Sequence, residues 1–318
     1  MKKMGITVLL ILNLFLLTNC NKDEKKEENK NEVQTEAQVT KEETSVKENQ
    51  VLVEKEKKII ELFNKDSLEK FLENTTKIKE KLKNSTEEEV NKLYQEYTNF
   101  YRESESNDNI PYLIEELNAE HKNVLDMIYP YVGEVPEDKI SEEDIKIANK
   151  FLADYGLRIK YVGEGYYEMD VIASFYYNLF KNYVADDYKE YLRLTAKENE
   201  ELYASDGGIL ISAEELGERI AAWESFLEKY PDSALSPIVD ENCRYYRVDY
   251  ITGMPNTPTI IKDDNGKPKA IYEENMKEFN RFIKKYPNSP TVPFIEYFLK
   301  NYKNDDIGAK IYDMMGLN

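Results

Sequence analysis

Trp223-Glu-Ser-Phe226-Leu-Glu-Lys-Tyr230-Pro231-Asp-Ser233-Ala-Leu-Ser-Pro237 returns 56 residues later as Phe279-Asn-Arg-Phe282-Ile-Lys-Lys-Tyr286-Pro287-Asn-Ser289-Pro-Thr-Val-Pro293. Each copy reads as a helix, a corner and a second helix, because its apolar residues recur at spacings of three and four. The residue before a proline is pushed out of helical geometry, so the first helix of each copy should stop before Pro231 and Pro287. Asp232 or Ser233 offers a cap for the next helix, and Pro237 suits its first turn. That second helix carries Ile238, Tyr245, Tyr246 and Tyr250 in the first copy, and Phe294, Phe298, Leu299 and Tyr302 in the second.

Working outward, Gly253 through Pro268 is a Gly/Pro/Asn-rich connection with a tight turn at Asp264-Asn265-Gly266. Ser212-Ala-Glu-Glu215 reads as a capping box opening the helix that runs into Trp223, and Asp206-Gly-Gly208 as a turn. Ile172, Phe175, Tyr176, Leu179, Phe180 and Tyr183 form one helical face, continued by Tyr188, Tyr191 and Leu192 beyond a break at Asp186-Asp187. Leu157-Arg-Ile-Lys-Tyr-Val162 alternates, Gly163-Glu164-Gly165 turns, and Tyr166 to Val171 alternates back, which predicts one small β-hairpin near 157–171.

The chain before the hairpin is helical in pattern. Ile59, Ile60, Phe63, Leu68, Phe71 and Leu72 mark apolar faces. Ser85-Thr-Glu-Glu88 reads as a capping box, opening a helix with Val90, Leu93, Tyr94, Tyr97, Phe100 and Tyr101 on one stripe. A single helix is expected from Pro111 to Pro130, carrying Leu113, Leu117, Leu125 and Ile128, with His121 in their register as a packed core residue. Ser141 caps a helix with Ile145, Ala148 and Leu152, closed by Gly156. The fold class expected is mainly α, built of helical hairpins with the one β-hairpin.

Residues 1–19 read as a leader: Lys2 and Lys3 form a positive start, and Ile6 to Leu17 an apolar run too short for a span of roughly 20 residues. Leu17-Thr18-Asn19-Cys20 resembles the lipobox of bacterial lipoproteins, which implies cleavage before Cys20 and acylation (palmitate among the chains) of that cysteine. Asn19 departs from the usual small residue. Acyl chains anchor a polypeptide because each buried methylene adds membrane affinity. Residues 20–50 hold almost no large apolar residue and are expected to be a lipidated, disordered tether. The residues after the cysteine, Asn21-Lys22-Asp23-Glu24, lack an Asp directly behind it and point to the outer membrane of the cell envelope. Residues 51–156 then form an N-terminal helical region, and 157–318 the hairpin plus the C-terminal repeat-like region.

Helix, Lys-Tyr-Pro-Asp/Asn-Ser, helix is similar to the tetratricopeptide-like units of bacterial envelope proteins, of the type found in the lipoprotein of the outer-membrane β-barrel assembly machinery. The resemblance covers 213–250 and 272–303. It implies stacked helical pairs that hold a protein or peptide partner. The 56-residue spacing is longer than the usual repeat of about 34, and two copies are fewer than the three that make such an array self-supporting.

Composition narrows the chemistry. Charged residues make up 33% of the 318, and acids exceed bases by 19, which disfavours nucleic acid and anionic lipid as partners. The 25 tyrosines match the codon usage of an AT-rich genome, though local clusters (Tyr166, Tyr167, Tyr176, Tyr177; Tyr245, Tyr246, Tyr250) offer stacking surfaces. With Cys20 taken by acylation, Cys243 is the one free thiol expected, and His121 is the one histidine, so disulfide frameworks, Cys-rich metal sites and Ser-His-Asp chemistry lack raw material. Cys243 reads as a small buried residue. Asp263-Asp264-Asn265-Gly266 lacks the alternating ligands of a calcium loop and reads as a turn. No metal or cofactor is expected. The one candidate catalytic acid is Glu164, between two glycines with Glu168 and Asp170 nearby. The function expected is a non-enzymatic, membrane-anchored scaffold for a protein or peptide. The alternatives are a glycan- or peptidoglycan-acting envelope enzyme using Glu164, and a surface adhesin.

Overall fold

A Tyr-Pro corner sets the backbone the same way in both copies of the repeated sequence. Helix α9 (Ala213–Lys229) and α10 (Ser236–Thr252) form the first pair, α11 (Glu273–Lys285) and α12 (Val292–Asn301) the second. Tyr230 ends its helix at φ −129, ψ 58 and Tyr286 at φ −125, ψ 59. The hydrogen bonds match as well: Ser233 N–H donates to the Tyr230 carbonyl and Ser289 N–H to that of Tyr286, at 3.2 and 3.0 Å. In each corner a Phe ring packs against the tyrosine and a lysine ammonium sits over it. Pro237 lies in the first turn of α10, as the sequence predicts. Ser233 does not cap that helix. The N-cap is Leu235, and the Ser233 hydroxyl accepts from the Leu235 N–H while donating to Asp187.

The computed structural model describes residues 50, 52–98, 109–131 and 133–317. The leader, Cys20, nearly all of the tether, and Phe100 and Tyr101 lie outside them. Before the corners come α1 (52–61), α2 (Lys65–Lys83), α3 (Glu87–Thr98), α4 (Ile110–Glu120), α5 (Lys122–Leu125) and α6 (Glu142–Leu152). The expected hairpin follows as β1 (Leu157–Gly163) and β2 (Tyr166–Val171), then α7 (Phe175–Phe180) and α8 (Asp186–Glu198). The fold is mainly α. Three further two-stranded antiparallel pieces stand where turns were expected: β3 (Ala204–Ser205) with β4 (Gly208–Ile209), β5 (Gly253–Met254) with β6 (Thr257–Pro258), and β7 (Ile260–Lys262) with β8 (Pro268–Ile271). Helix α13 (Ile307–Met314) packs beside α10 and α12. Lys55–Asn318 forms one unit, with apolar residues from Ile59 to Met315 in one core.

Several local expectations shift. The capping box at the start of α3 is Thr86 with Glu89, one residue later than Ser85 with Glu88: Thr86 N–H donates to Glu89 Oε2 at 2.7 Å, while the Ser85 hydroxyl donates back to Lys81. Leu72 is exposed, because Leu68 and Phe71 take the buried face of α2. The long helix from Pro111 is broken at His121, whose N–H closes α4 on Leu117 and whose carbonyl opens α5. The box at Ser141 is complete, with Asp144 reaching back to the Ser141 N–H. At Ser212 only half of it forms, since Glu215 turns instead to Arg219.

Candidate functional site

The β1–β2 hairpin presents one apolar face inward through Ile159 and Met169, which oppose each other in the ladder. The outer edge of each strand is closed at that same pair. Asn149 on α6 accepts from Ile159 N–H and donates to its carbonyl, at 2.6 and 2.9 Å. Asn118 on α4 does the same for Met169, at 2.8 and 2.9 Å. Two amide side chains thus take the place of neighbouring strands, so no peptide can add to the sheet at its centre.

The other hairpin face carries Arg158, Lys160, Glu168 and Asp170, and it forms one wall of a cleft of about 880 Å³. The opposite wall is the segment after α8, from Asn199 through the β3–β4 turn to Leu210. The two walls meet at their tips. Gly163 has φ +102, and a Cβ there would stand 3.0 Å from the Ser205 hydroxyl, so the approach requires glycine. Glu164 and Asp206, each at φ 52, sit in the two turns. The second turn is fastened from behind, since Asn256 in the β5–β6 turn donates its N–H to the Gly207 carbonyl at 2.8 Å and its side chain to Asp206.

The floor is polar and bonded. Glu198, the last residue of α8, accepts from Trp223 Nε1 at 2.6 Å and from the Tyr246 hydroxyl at 3.0 Å. Burial raises its carboxyl above the usual glutamate range, against those two hydrogen bonds and the nearby Arg219 charge, which pull it down. Arg219 is buried, donating to the Glu201 carbonyl and lying 3.4 Å from Glu215. Tyr203 donates to Asp249, and burial beside that carboxylate pushes its hydroxyl up to about 12. The rim is apolar: Tyr161, Val162, Tyr166, Leu202 and Leu210 all line the cleft and are all exposed.

No protein-family model matches this chain, and no curated protein or solved structure is significantly similar to it.

Glu164, singled out from the sequence, stands exposed at the mouth of the cleft, and Glu168 lies along the same wall. Asp170 is held by Lys160 at 2.6 Å and by the Val171 N–H. Glu198 is the acid that sequence reasoning missed. Its partners lie 25 and 48 residues away, and the nearest local signal was the Trp223 of the repeated stretch. Cys243 is fully buried, and loss of hydration pushes its thiol up to about 12, so it stays a thiol at neutral pH. Asp263 spends one carboxylate oxygen on the N–H groups of Asn265 and Lys267, which makes the 263–266 segment a turn. Among the described residues, no group of three His, Cys, Asp or Glu is placed to hold a metal ion. A second cavity, of about 780 Å³, lies between the starts of α9 and α11 beside Tyr250, Tyr272 and Arg281.

Proposed function

We propose that this chain is an envelope lipoprotein: a helical scaffold, anchored at the outer membrane through acylated Cys20 and a polar tether, that holds a protein or peptide partner. The observation that carries the proposal is the rim of the cleft. Five large apolar side chains around one concavity remain between 38% and 68% exposed. A cluster of that kind over a polar floor has the composition of a recognition surface. The hairpin edges are plugged, so the partner is held by side-chain contacts with no added strand. The likeness to tetratricopeptide-like lipoproteins gains support from the two matching Tyr-Pro corners, each reversing one helix onto the next.

The test is capture from detergent-solubilised envelopes, comparing the natural chain with a Tyr166→Ser, Leu210→Ser double variant. The natural chain should retain a defined partner, and the variant should lose it with no change in melting temperature. A natural chain that retains nothing beyond the empty-resin background ends the proposal.

One observation favours a second reading, a glycan- or peptidoglycan-acting enzyme. A general acid must hold its proton near neutral pH, and burial moves Glu198 in that direction inside a cleft. Glu198 then replaces Glu164 as the proton donor. Hydrolysis of isolated peptidoglycan by the natural chain, abolished in Glu198→Gln and kept in Glu164→Gln, would support it. Full turnover by Glu198→Gln would remove it.

A further inference from the structure

We propose that the cleft receives a basic segment of the partner polypeptide, one that alternates lysine or arginine with apolar residues. The inference rests on the scaffold reading and supplies the chemistry of its partner.

Charge is the first argument. Glu164, Glu168, Glu200 and Asp206 all line the cleft and are all exposed. None of the four has an ion-pair partner among the described residues, whereas two of the three cations lining the cleft are already matched: Lys160 by Asp170 and Arg219 by Glu215. The four carboxylates come from both walls, so a ligand in the cleft meets them on two sides. A chain with a net charge of −19 adds long-range attraction for a cation.

The remaining cation is the second argument. Arg158 lines the cleft with no ion pair among the described residues, and its Nε is buried without a hydrogen-bond partner. Arg158 is half-buried where it lines the cleft, so the exposed part of its guanidinium can donate to a main-chain carbonyl of a bound peptide. An amine without a backbone offers that guanidinium no acceptor. The exposed rim of Tyr161, Val162, Tyr166, Leu202 and Leu210 then takes the apolar side chains between the basic ones. A neutral saccharide could stack on the aromatic rings and donate hydroxyls to the carboxylates, but it would leave their four charges unmatched.

The site is also held ready. The Glu164 and Asp206 turns abut at Gly163, and the second is tied to the β5–β6 turn, so little ordering is needed when a ligand binds.

The experiment uses the full chain in nanodiscs of zwitterionic lipid, with empty discs as background. The probe is a fluorescent octapeptide alternating lysine and valine, and the controls replace lysine by glutamate or serine. The charge variant is Glu164→Gln, Glu168→Gln, Glu200→Gln, Asp206→Asn, all exposed positions that leave the core untouched. The lysine peptide should bind the natural chain, and the charge variant should bind it at least about tenfold more weakly, since several exposed pairs of modest strength add to that factor. Raising salt should weaken binding to the natural chain in the same way. Unchanged affinity in the charge variant, equal binding of the glutamate peptide, or no binding of the lysine peptide overturns the inference. Envelope capture separates it from the scaffold reading. If the charge variant keeps a partner that the Tyr166→Ser, Leu210→Ser variant loses, the scaffold stands and the basic segment falls. If neither variant alters capture, both fall.

Discussion

His121 shows how much one buried side chain can settle. Its Nδ1 lies 2.9 Å from the Leu117 carbonyl, and its Nε2 lies 3.1 Å from the Asn64 N–H. A carbonyl needs a donor and an N–H needs an acceptor, so the ring is neutral with its proton on Nδ1. It thereby joins the break between α4 and α5 to the N-cap of α2, whose own side chain receives the Asp66 N–H. Replacing His121, itself 2% exposed, by Ala takes the acceptor from the Asn64 N–H and leaves a cavity beside the Phe63 ring. The expected cost is about 1–3 kcal/mol, read as a lower urea midpoint with an unchanged slope. Glu198 makes a prediction of the opposite kind. Its carboxyl is raised in the folded state, chiefly by burial. Between the ordinary glutamate value and the raised one, the folded chain keeps a proton that the unfolded chain has released. Stability contributed by this group is therefore full in acid, is lost as pH rises through that window, and is lowest above it. Glu198→Gln removes the titration. Relative to the natural chain it should gain stability between pH 4 and pH 7 in urea denaturation, and a pH-independent difference would contradict the assignment.

At the scale of elements, the Tyr-Pro corners dock onto carboxylates of earlier helices. Ser233 donates to Asp187 at the start of α8, and Ser289 donates to Glu224 in the middle of α9, each at 2.5 Å. Glu224 also receives the Thr291 hydroxyl at 2.6 Å and the buried Arg247 guanidinium at 2.9 Å, which locks the second corner to the first helical pair. Glu224→Ala strands Arg247 as a buried cation and should cost about 3–5 kcal/mol. Ser289→Ala removes one hydrogen bond to a charged group and the acceptor of the Thr291 N–H, and should cost about 2 kcal/mol. Comparable losses for the two would mean that Arg247 finds another partner. The corners themselves were legible in the sequence, because a proline after Tyr230 and Tyr286 acts on its immediate neighbours. So were the Ser141 cap, the Gly156 stop and the β1–β2 hairpin, all of them local. The carboxylate that each corner grips was not, since Asp187 and Glu224 stand 46 and 65 residues from their serines. The same limit hid Glu198 and the plugging role of Asn118 and Asn149. Ser85 was misread for Thr86 because either hydroxyl precedes an acid at the right spacing, and helix register alone decides between them.

For the whole molecule, the folded unit and the proposed anchor are separable in physical terms. Lys55–Asn318 buries its own apolar core, and no described helix is long and apolar enough to cross a membrane. Attachment in the proposed function depends on one residue, Cys20, directly after a short apolar leader. A single acyl chain holds a protein only marginally, so the attachment requires more than one chain on that cysteine. Cys20→Ser removes the acceptor sulfur and nothing from the folded unit. In cells given a clickable palmitate analogue, the natural chain should carry the label and enter the detergent phase on cloud-point separation. The Cys20→Ser chain should carry no label and stay in the aqueous phase, while its folded unit melts at the same temperature. Label retained by Cys20→Ser would move the modification elsewhere. An unlabelled natural chain would withdraw the anchor, leaving the cleft to be explained without a membrane.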